Sequence, residues 1–265
     1  MAKDSSKSHK SRKDHIARAK IHHHDNIVHT AFDHAEWDPL SHHAGDEFAR
    51  TIDGRRDQSY VRTVRPRSNG QRALMAAIMD KNLTLALGPA GTGKTYLAIS
   101  AAVEALENGR IERIILSRPA MEAGESLGYL PGDMHEKMAP YLRPLYDALG
   151  DRLGGKRVRQ LLEDGTIEIA PVGFMRGRTL NNAFVVIDEA QNCTYAQLKM
   201  LLSRLGWHST MVVTGDPDQS DLLEGLSGLA EIARKLETIA GISVVRLKAE
   251  DIVRHPLVAE MLDVI

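Results

Sequence analysis

The sequence predicts an α/β protein built on a mainly parallel sheet between layers of helices. Three stretches carry that expectation. Leu83–Leu87 is an apolar run that breaks into Gly88-Pro89-Ala90-Gly91-Thr92-Gly93-Lys94-Thr95 and then an Ala-rich helical pattern. Ala183–Ile187 is a second continuous apolar run and closes on Asp188-Glu189. Thr210–Thr214 is a third, followed at once by Gly215-Asp216-Pro217-Asp218-Gln219. Apolar strands without alternation are buried on both faces, and strands alternating with helical periods build parallel sheets.

The first stretch has the G-x-x-x-x-G-K-[ST] spacing in strand–loop–helix context. Its glycines let consecutive backbone N–H groups turn inward on phosphate, and the helix that follows adds its positive dipole end. Lys94 can reach the β- and γ-phosphates, the Thr95 hydroxyl can ligate Mg²⁺, and Tyr96 follows directly in the chain. Gly88 through Tyr96 is therefore the expected nucleotide cradle. In the second stretch Asp188 can hold the Mg²⁺ shell and Glu189 can orient or deprotonate the attacking water. In the third, Gln219 can bond the γ-phosphate or that water.

Composition narrows the class. The 265 residues suffice for one sizeable α/β domain and an extension. No apolar stretch is long enough to span a membrane, and the first residues lack the apolar run of a secretory signal. Cys193 is the single cysteine, which excludes an intrachain disulfide and fits a reducing, cytoplasmic setting. The net charge of −1 is not that of an overall basic nucleic-acid binder. Lys3, Lys7, Lys10, Arg12, Lys13, Arg18 and Lys20 nevertheless face only Asp4 and Asp14, so a nucleic-acid contact would use this arm or a local patch.

Residues 1–67 read as a polar, His-rich extension that buries too little apolar surface to offset its ordering entropy. Its histidines lack the spacing of a closed metal site. Asp53-Gly54 is a turn candidate within it. Residues 68–265 form the expected catalytic domain. Asn69–Met79 has helical periodicity, and Gln71 at its start can pair bidentately with adenine. Thr95–Glu107 is the next helix, closed by Asn108-Gly109. Arg113–Leu116 is a strand running into Ser117-Arg118-Pro119 and a long Gly- and Pro-containing loop, placed where parallel sheets bind ligands. Helices are expected over Glu136–Leu149 and Lys156–Glu163, a strand over Ile167–Ala170, and then the paired Arg176 and Arg178 around Gly177. Thr194–Arg204 is a helix with Thr194 as N-cap. Ser227–Leu236 is a helix, Ser243–Leu247 the last strand, and a short amphipathic helix follows Pro256. Trp37, Trp207, Cys193 and His255 read as structural or neutral residues.

GPAGTGKT, SRPAMEAGESLGYLPGD, LRPLYDAL, Met-Arg-Gly-Arg-Thr, VVIDEAQN, TGDPDQ and EDIVRHPLV occur in this order. Together they resemble the PhoH family of phosphate-starvation-type ATPases, from about Asn69 onward. The resemblance implies a RecA-like P-loop NTPase fold similar to the first motor domain of superfamily 1 helicases. It also implies ATP binding and hydrolysis and a role on RNA. It assigns Gly88–Thr95 as the phosphate loop, Asp188 and Glu189 as the acidic pair, and Gln219 as the γ-phosphate sensor. Some relatives carry an N-terminal PIN nuclease domain, for which the arm here is too short and too polar.

A helicase monomer closes ATP between two RecA-like domains, and only one fits between Gly88 and Ile265. An arginine finger would then come from a neighbouring protomer or be missing, and head-to-tail contacts of the first kind close into rings. The expectation is a ring, a hexamer by analogy with RecA-like motors. Arg254 is the first finger candidate, with Arg176, Arg178 and Arg118 as runners-up. Two functions fit: a Mg²⁺-dependent ATPase acting on single-stranded RNA or DNA, and an ATP-controlled assembly or binding switch with incidental hydrolysis. A small-molecule kinase fits less well, because Glu189 and Gln219 are suited to water as acceptor.

Overall fold

The computed structural model describes residues 64–119, 134–223 and 225–253, with the backbone alone over 134–140. Nearly all of the polar extension, the Asp53-Gly54 turn, Trp37, the body of the loop after the second strand, Arg254, His255 and the terminal helix lie outside these residues.

Among the described residues six strands, β1 (Leu83–Leu87), β2 (Arg113–Arg118), β3 (Ile167–Pro171), β4 (Ala183–Ile187), β5 (Thr210–Gly215) and β6 (Ile242–Arg246), form one sheet. Its order is β3-β2-β4-β5-β1-β6, and every pairing is parallel. The helices are α1 (Asn69–Asp80), α2 (Lys94–Glu107), α3 (Met134–Leu153), α4 (Gly155–Glu163), α5 (Tyr195–Leu202) and α6 (Leu229–Leu236). Short 3₁₀ turns occupy Val172–Met175, Ala190–Asn192 and Ala249–Asp251.

The sheet separates two cores. Ala86, Ile114, Leu116, Phe184, Val186 and Val212 meet Leu74, Ile99, Val103, Leu142 and Leu145 from α1, α2 and α3 on one face. Leu83, Leu85, Leu87, Ile115, Val185, Ile187, Met211 and Val213 meet Leu198, Leu201, Leu229 and Ile232 from α5 and α6 on the other. Alternate residues of one strand thus enter opposite cores, which is why the strands read as continuous apolar runs. Fully burying a side chain such as Leu85 or Ile114 contributes about 1.5–3 kcal/mol. The three-layer α/β sandwich expected from the sequence is present.

The ends of several helices differ from expectation. Gly150 does not end α3, which continues to Leu153. Leu142, Leu145, Tyr146 and Leu149 pack at helical spacing and hold the turn through the glycine. Conversely, α6 begins at Leu229 rather than Ser227. Ser227 instead forms a bridge to Thr194, and Gly228 packs on the backbone of Tyr195. Thr194 does cap α5, in a reciprocal capping box with Gln197, and that helix ends at Leu202. Cys193 is buried as expected, and burial pushes its thiol up to about 12. Trp207 is 80% exposed, so of the two readings it is not a core residue.

Candidate nucleotide site

The site forms where β1, β4 and β5 end together. β5 lies between the other two, so the phosphate loop and the acidic pair face each other across one strand. Gly88 opens the loop at φ 136°, and a Cβ there would stand 2.3 Å from the Leu247 carbonyl oxygen, so only glycine fits. The loop is held from several sides. Gly88 N–H donates to the Gly215 carbonyl at 3.1 Å, Leu247 N–H to that of Leu87 at 2.7 Å, and Val253 N–H to that of Gly91 at 3.0 Å. Thr92 Oγ1 donates to the Pro89 carbonyl at 2.9 Å.

Gln71 lies behind this loop, 5% exposed. Its Nε2 donates to the Thr92 carbonyl at 3.0 Å, and its Oε1 accepts from Arg67 N–H at 2.8 Å. The amide braces the loop, and although its oxygen keeps a second lone pair and its nitrogen a second N–H, a bidentate adenine contact would require this buried side chain to be uncovered.

Lys94 begins α2, and its ammonium donates to the Gly88 and Pro89 carbonyls at 2.6 and 2.8 Å. Burial lowers its pKa, against the raising influence of Asp216, Glu189 and Asp188. Beside it in the chain, Thr95 Oγ1 donates to Asp188 Oδ1 at 2.6 Å. Thr214 Oγ1 donates to the same oxygen at 2.6 Å from β5. Two hydroxyls from β5 and α2 therefore fix the Asp188 carboxylate at the tip of β4.

Glu189 sits in the left-handed region at φ 53° and ψ 42°, an uncommon conformation for a residue with a Cβ. Its Oε1 accepts from Arg118 Nη2 at 3.0 Å, and its Oε2 accepts from Gln191 Nε2. Gln191 Oε1 in turn accepts the Asp216 backbone N–H at 3.1 Å. A Cβ on Gly215 would come within 2.8 Å of that Gln191 oxygen and 2.6 Å of Leu229, so β5 must end in glycine for the amide to pass.

Ala90, Gly91, Gly93, Lys94, Thr95, Tyr96, Asp188, Glu189, Gln191, Gly215, Asp216 and Gln219 line one cleft of about 330 Å³. Lys94, Thr95, Asp188, Glu189 and Gln219, predicted from separate stretches, are thus brought together. Tyr96 lines the same cleft while its hydroxyl donates to Asp151 at 2.6 Å. Thr214, Gln191 and Asp216 were not singled out from the sequence. Their roles follow from β5 lying beside β4, which no local pattern states. Of the other arginines, Arg178 forms a two-point pair with Glu168, and Arg176 is exposed.

Among the described residues no cluster of three His, Cys, Asp or Glu side chains could hold a metal. The hard oxygens of Thr95 and Asp188 suit Mg²⁺ shared with phosphate oxygens and water, the usual manner for that ion. No helix among the described residues is long and apolar enough to cross a membrane.

A parallel sheet carrying a glycine-rich loop, a helix starting at its lysine and an acidic strand end across from it defines a P-loop nucleotide-binding domain. The chain belongs to the PhoH-like family: the family model described as PhoH-like protein matches residues 63–265. The PhoH-like protein of Bacillus subtilis is 56% identical over 203 residues, covering 76% of this chain and 64% of the relative. That of Mycobacterium tuberculosis is 52% identical, covering 76% and 58%. Protein PhoH of Escherichia coli K12 is 45% identical over 205 residues, covering 76% and 58%. The chain thus spans about three fifths of the length of these relatives. Among solved structures, the large terminase of a thermophilic bacteriophage aligns at 13% identity and TM-score 0.46, over 75% of this chain and 50% of its own. The Pif1 helicase of Candida albicans aligns at 16% identity and TM-score 0.37, over 76% and 43%.

Proposed function

We propose that the chain hydrolyses ATP with Mg²⁺ and couples turnover to single-stranded RNA or DNA in a reducing compartment such as the cytoplasm. The observation that carries this reading is the shared cleft, in which the loop, Asp188, Glu189 and Gln219 meet. The loop amides and Lys94 bind the triphosphate, and Lys94 exchanges its two loop carbonyls for phosphate oxygens. Thr95 and Asp188 hold Mg²⁺, which when bound neutralises charge on the phosphates. Glu189 orients the attacking water. The water oxygen bonds to the γ-phosphorus, the bond from that phosphorus to the β–γ bridging oxygen breaks, and ADP leaves with the bridging oxygen. The proton lost by water passes to Glu189 and then to solvent. Gln219 contacts the γ-phosphate, and Gln71 reaches adenine if its buried amide is uncovered.

A neighbouring protomer supplies the arginine finger in a ring, a hexamer by analogy. Arg118 and Arg178 are engaged within the chain, which leaves Arg254, the first candidate from the sequence, and the exposed Arg176. On this reading residues 68–265 are the ATPase domain and residues 1–67 a polar, His-rich extension.

Steady-state ATPase assays with and without single-stranded RNA or DNA test the reading. Strong stimulation is expected, and Lys94→Ala abolishes turnover. Slow, unstimulated turnover with nucleotide-dependent assembly favours the switch instead, and wild-type rates in Lys94→Ala refute the site.

A further inference from the structure

A carboxylate that orients water must itself be held still, and Glu189 is held at three points. Its backbone occupies a strained left-handed conformation that persists only where the surroundings impose it. Gln191 holds one carboxylate oxygen from within the same segment. The other oxygen is held by Arg118, from a different strand. Arg118 ends β2, where its backbone pairs in register with Pro171 of β3. Its Nη2 reaches Glu189 at 3.0 Å while Nη1 donates to the Tyr141 carbonyl of α3 at 2.9 Å. The guanidinium therefore spans two fixed partners, and both side chains of the ion pair are mostly shielded, at 19% and 37% exposure. A planar fork bonded at two points fixes direction as well as distance, which a single ammonium cannot do.

We propose that Arg118 is a positioning residue for Glu189 of its own chain, tying the water-orienting carboxylate to β2 and α3. This rests on the hydrolysis reading above, and it removes Arg118 from the arginines available to a neighbouring site. The residue acts through Glu189 rather than on nucleotide, so its loss acts on the chemical step.

Arg118→Ala and Arg118→Lys are compared with wild type by steady-state kinetics and by binding of a fluorescent ATP analogue. Misplacement of a reacting group by about 1 Å can cost ~10²-fold. Arg118→Ala is accordingly expected to lower kcat by roughly ten- to hundredfold, with KM for ATP within about twofold of wild type. Arg118→Lys, which keeps the charge on Glu189 but not the two-point tether, recovers part of that loss. Should the alanine variant not fold, the lysine variant decides by the same split between kcat and KM. Mixing Arg118→Ala with Lys94→Ala protomers is expected to restore no activity, because each active site would still lack one of its own groups.

Restored activity in the mixture places Arg118 in a neighbour's site and overturns the proposal. So does a raised KM with unchanged kcat, or wild-type kinetics in both variants. Absence of turnover in the wild-type protein refutes the hydrolysis reading itself, a distinct outcome.

Discussion

Lys94 stands between two demands. Burial disfavours its ammonium, while the carboxylates of Asp216, Glu189 and Asp188 favour it. Burial is the larger influence, so the group titrates below the ordinary 10.5. Only the protonated form pairs with phosphate. ATP affinity is therefore expected to hold below that lowered value and to fall as pH rises through it. Titrating a fluorescent nucleotide analogue across this range checks the effect, and Lys94→Arg should shift the fall to higher pH because the guanidinium stays charged. Glu189→Gln keeps the shape of the side chain but removes the anion. Nucleotide binding should persist while kcat falls by about 10² or more, the usual contribution of a positioned base. Loss of binding as well would make Glu189 structural. At this scale spacing alone pointed to Lys94, Thr95 and Asp188, and the structure sets all three in one cleft. The sequence was silent where a role depends on a neighbour distant in the chain. Arg118 is the clearest case, because its partner Glu189 lies 71 positions further along.

At the scale of elements, apolar runs located the six strands among the described residues, because side chains of each strand enter both cores. Helix ends were less legible: Gly150 and Ser227 both carry local preferences that packing overrides. A helix-interior glycine costs about 1 kcal/mol, less than the burial of the leucines around it returns. The turn Ala249–Asp251 shows a local motif serving a remote element. Asp251 accepts from Lys248 N–H at 2.8 Å and from Gly70 N–H at 3.1 Å, and so fastens this turn to the start of α1. A hydrogen bond from Ser68, first among several, holds its carboxyl below the ordinary 3.8. A lowered carboxyl contributes stability that is present above the unfolded value and lost as pH falls through the folded one. Asp251→Asn should therefore cost about 1–3 kcal/mol near neutral pH. Denaturant unfolding should show the gap from wild type closing in acid, below 3.8. A gap that is constant with pH would mean that the charge of Asp251 does not matter.

For the molecule as a whole, the order β3-β2-β4-β5-β1-β6 sets which tips converge, and the cleft is a product of that order. Sequence motifs named the participants, but only the sheet brought Thr214 onto Asp188 and set Gln191 between Glu189 and β5. If ring assembly accompanies ATP binding, size-exclusion chromatography with light scattering should show a multimer that grows or sharpens with ATP and Mg²⁺. A monomer under all conditions would leave the finger proposal without a donor.

The pairing of β1 with β6 has a further consequence for how the protein is made. Leu83 pairs with Ile242, and the loop carbonyl of Gly91 takes its hydrogen bond from Val253. On a translating ribosome the phosphate loop emerges early, yet the backbone that braces it is synthesised much later. Nascent chains arrested before Ile242 should therefore not be retained on immobilised nucleotide, and capture should begin only once Val253 has cleared the exit tunnel.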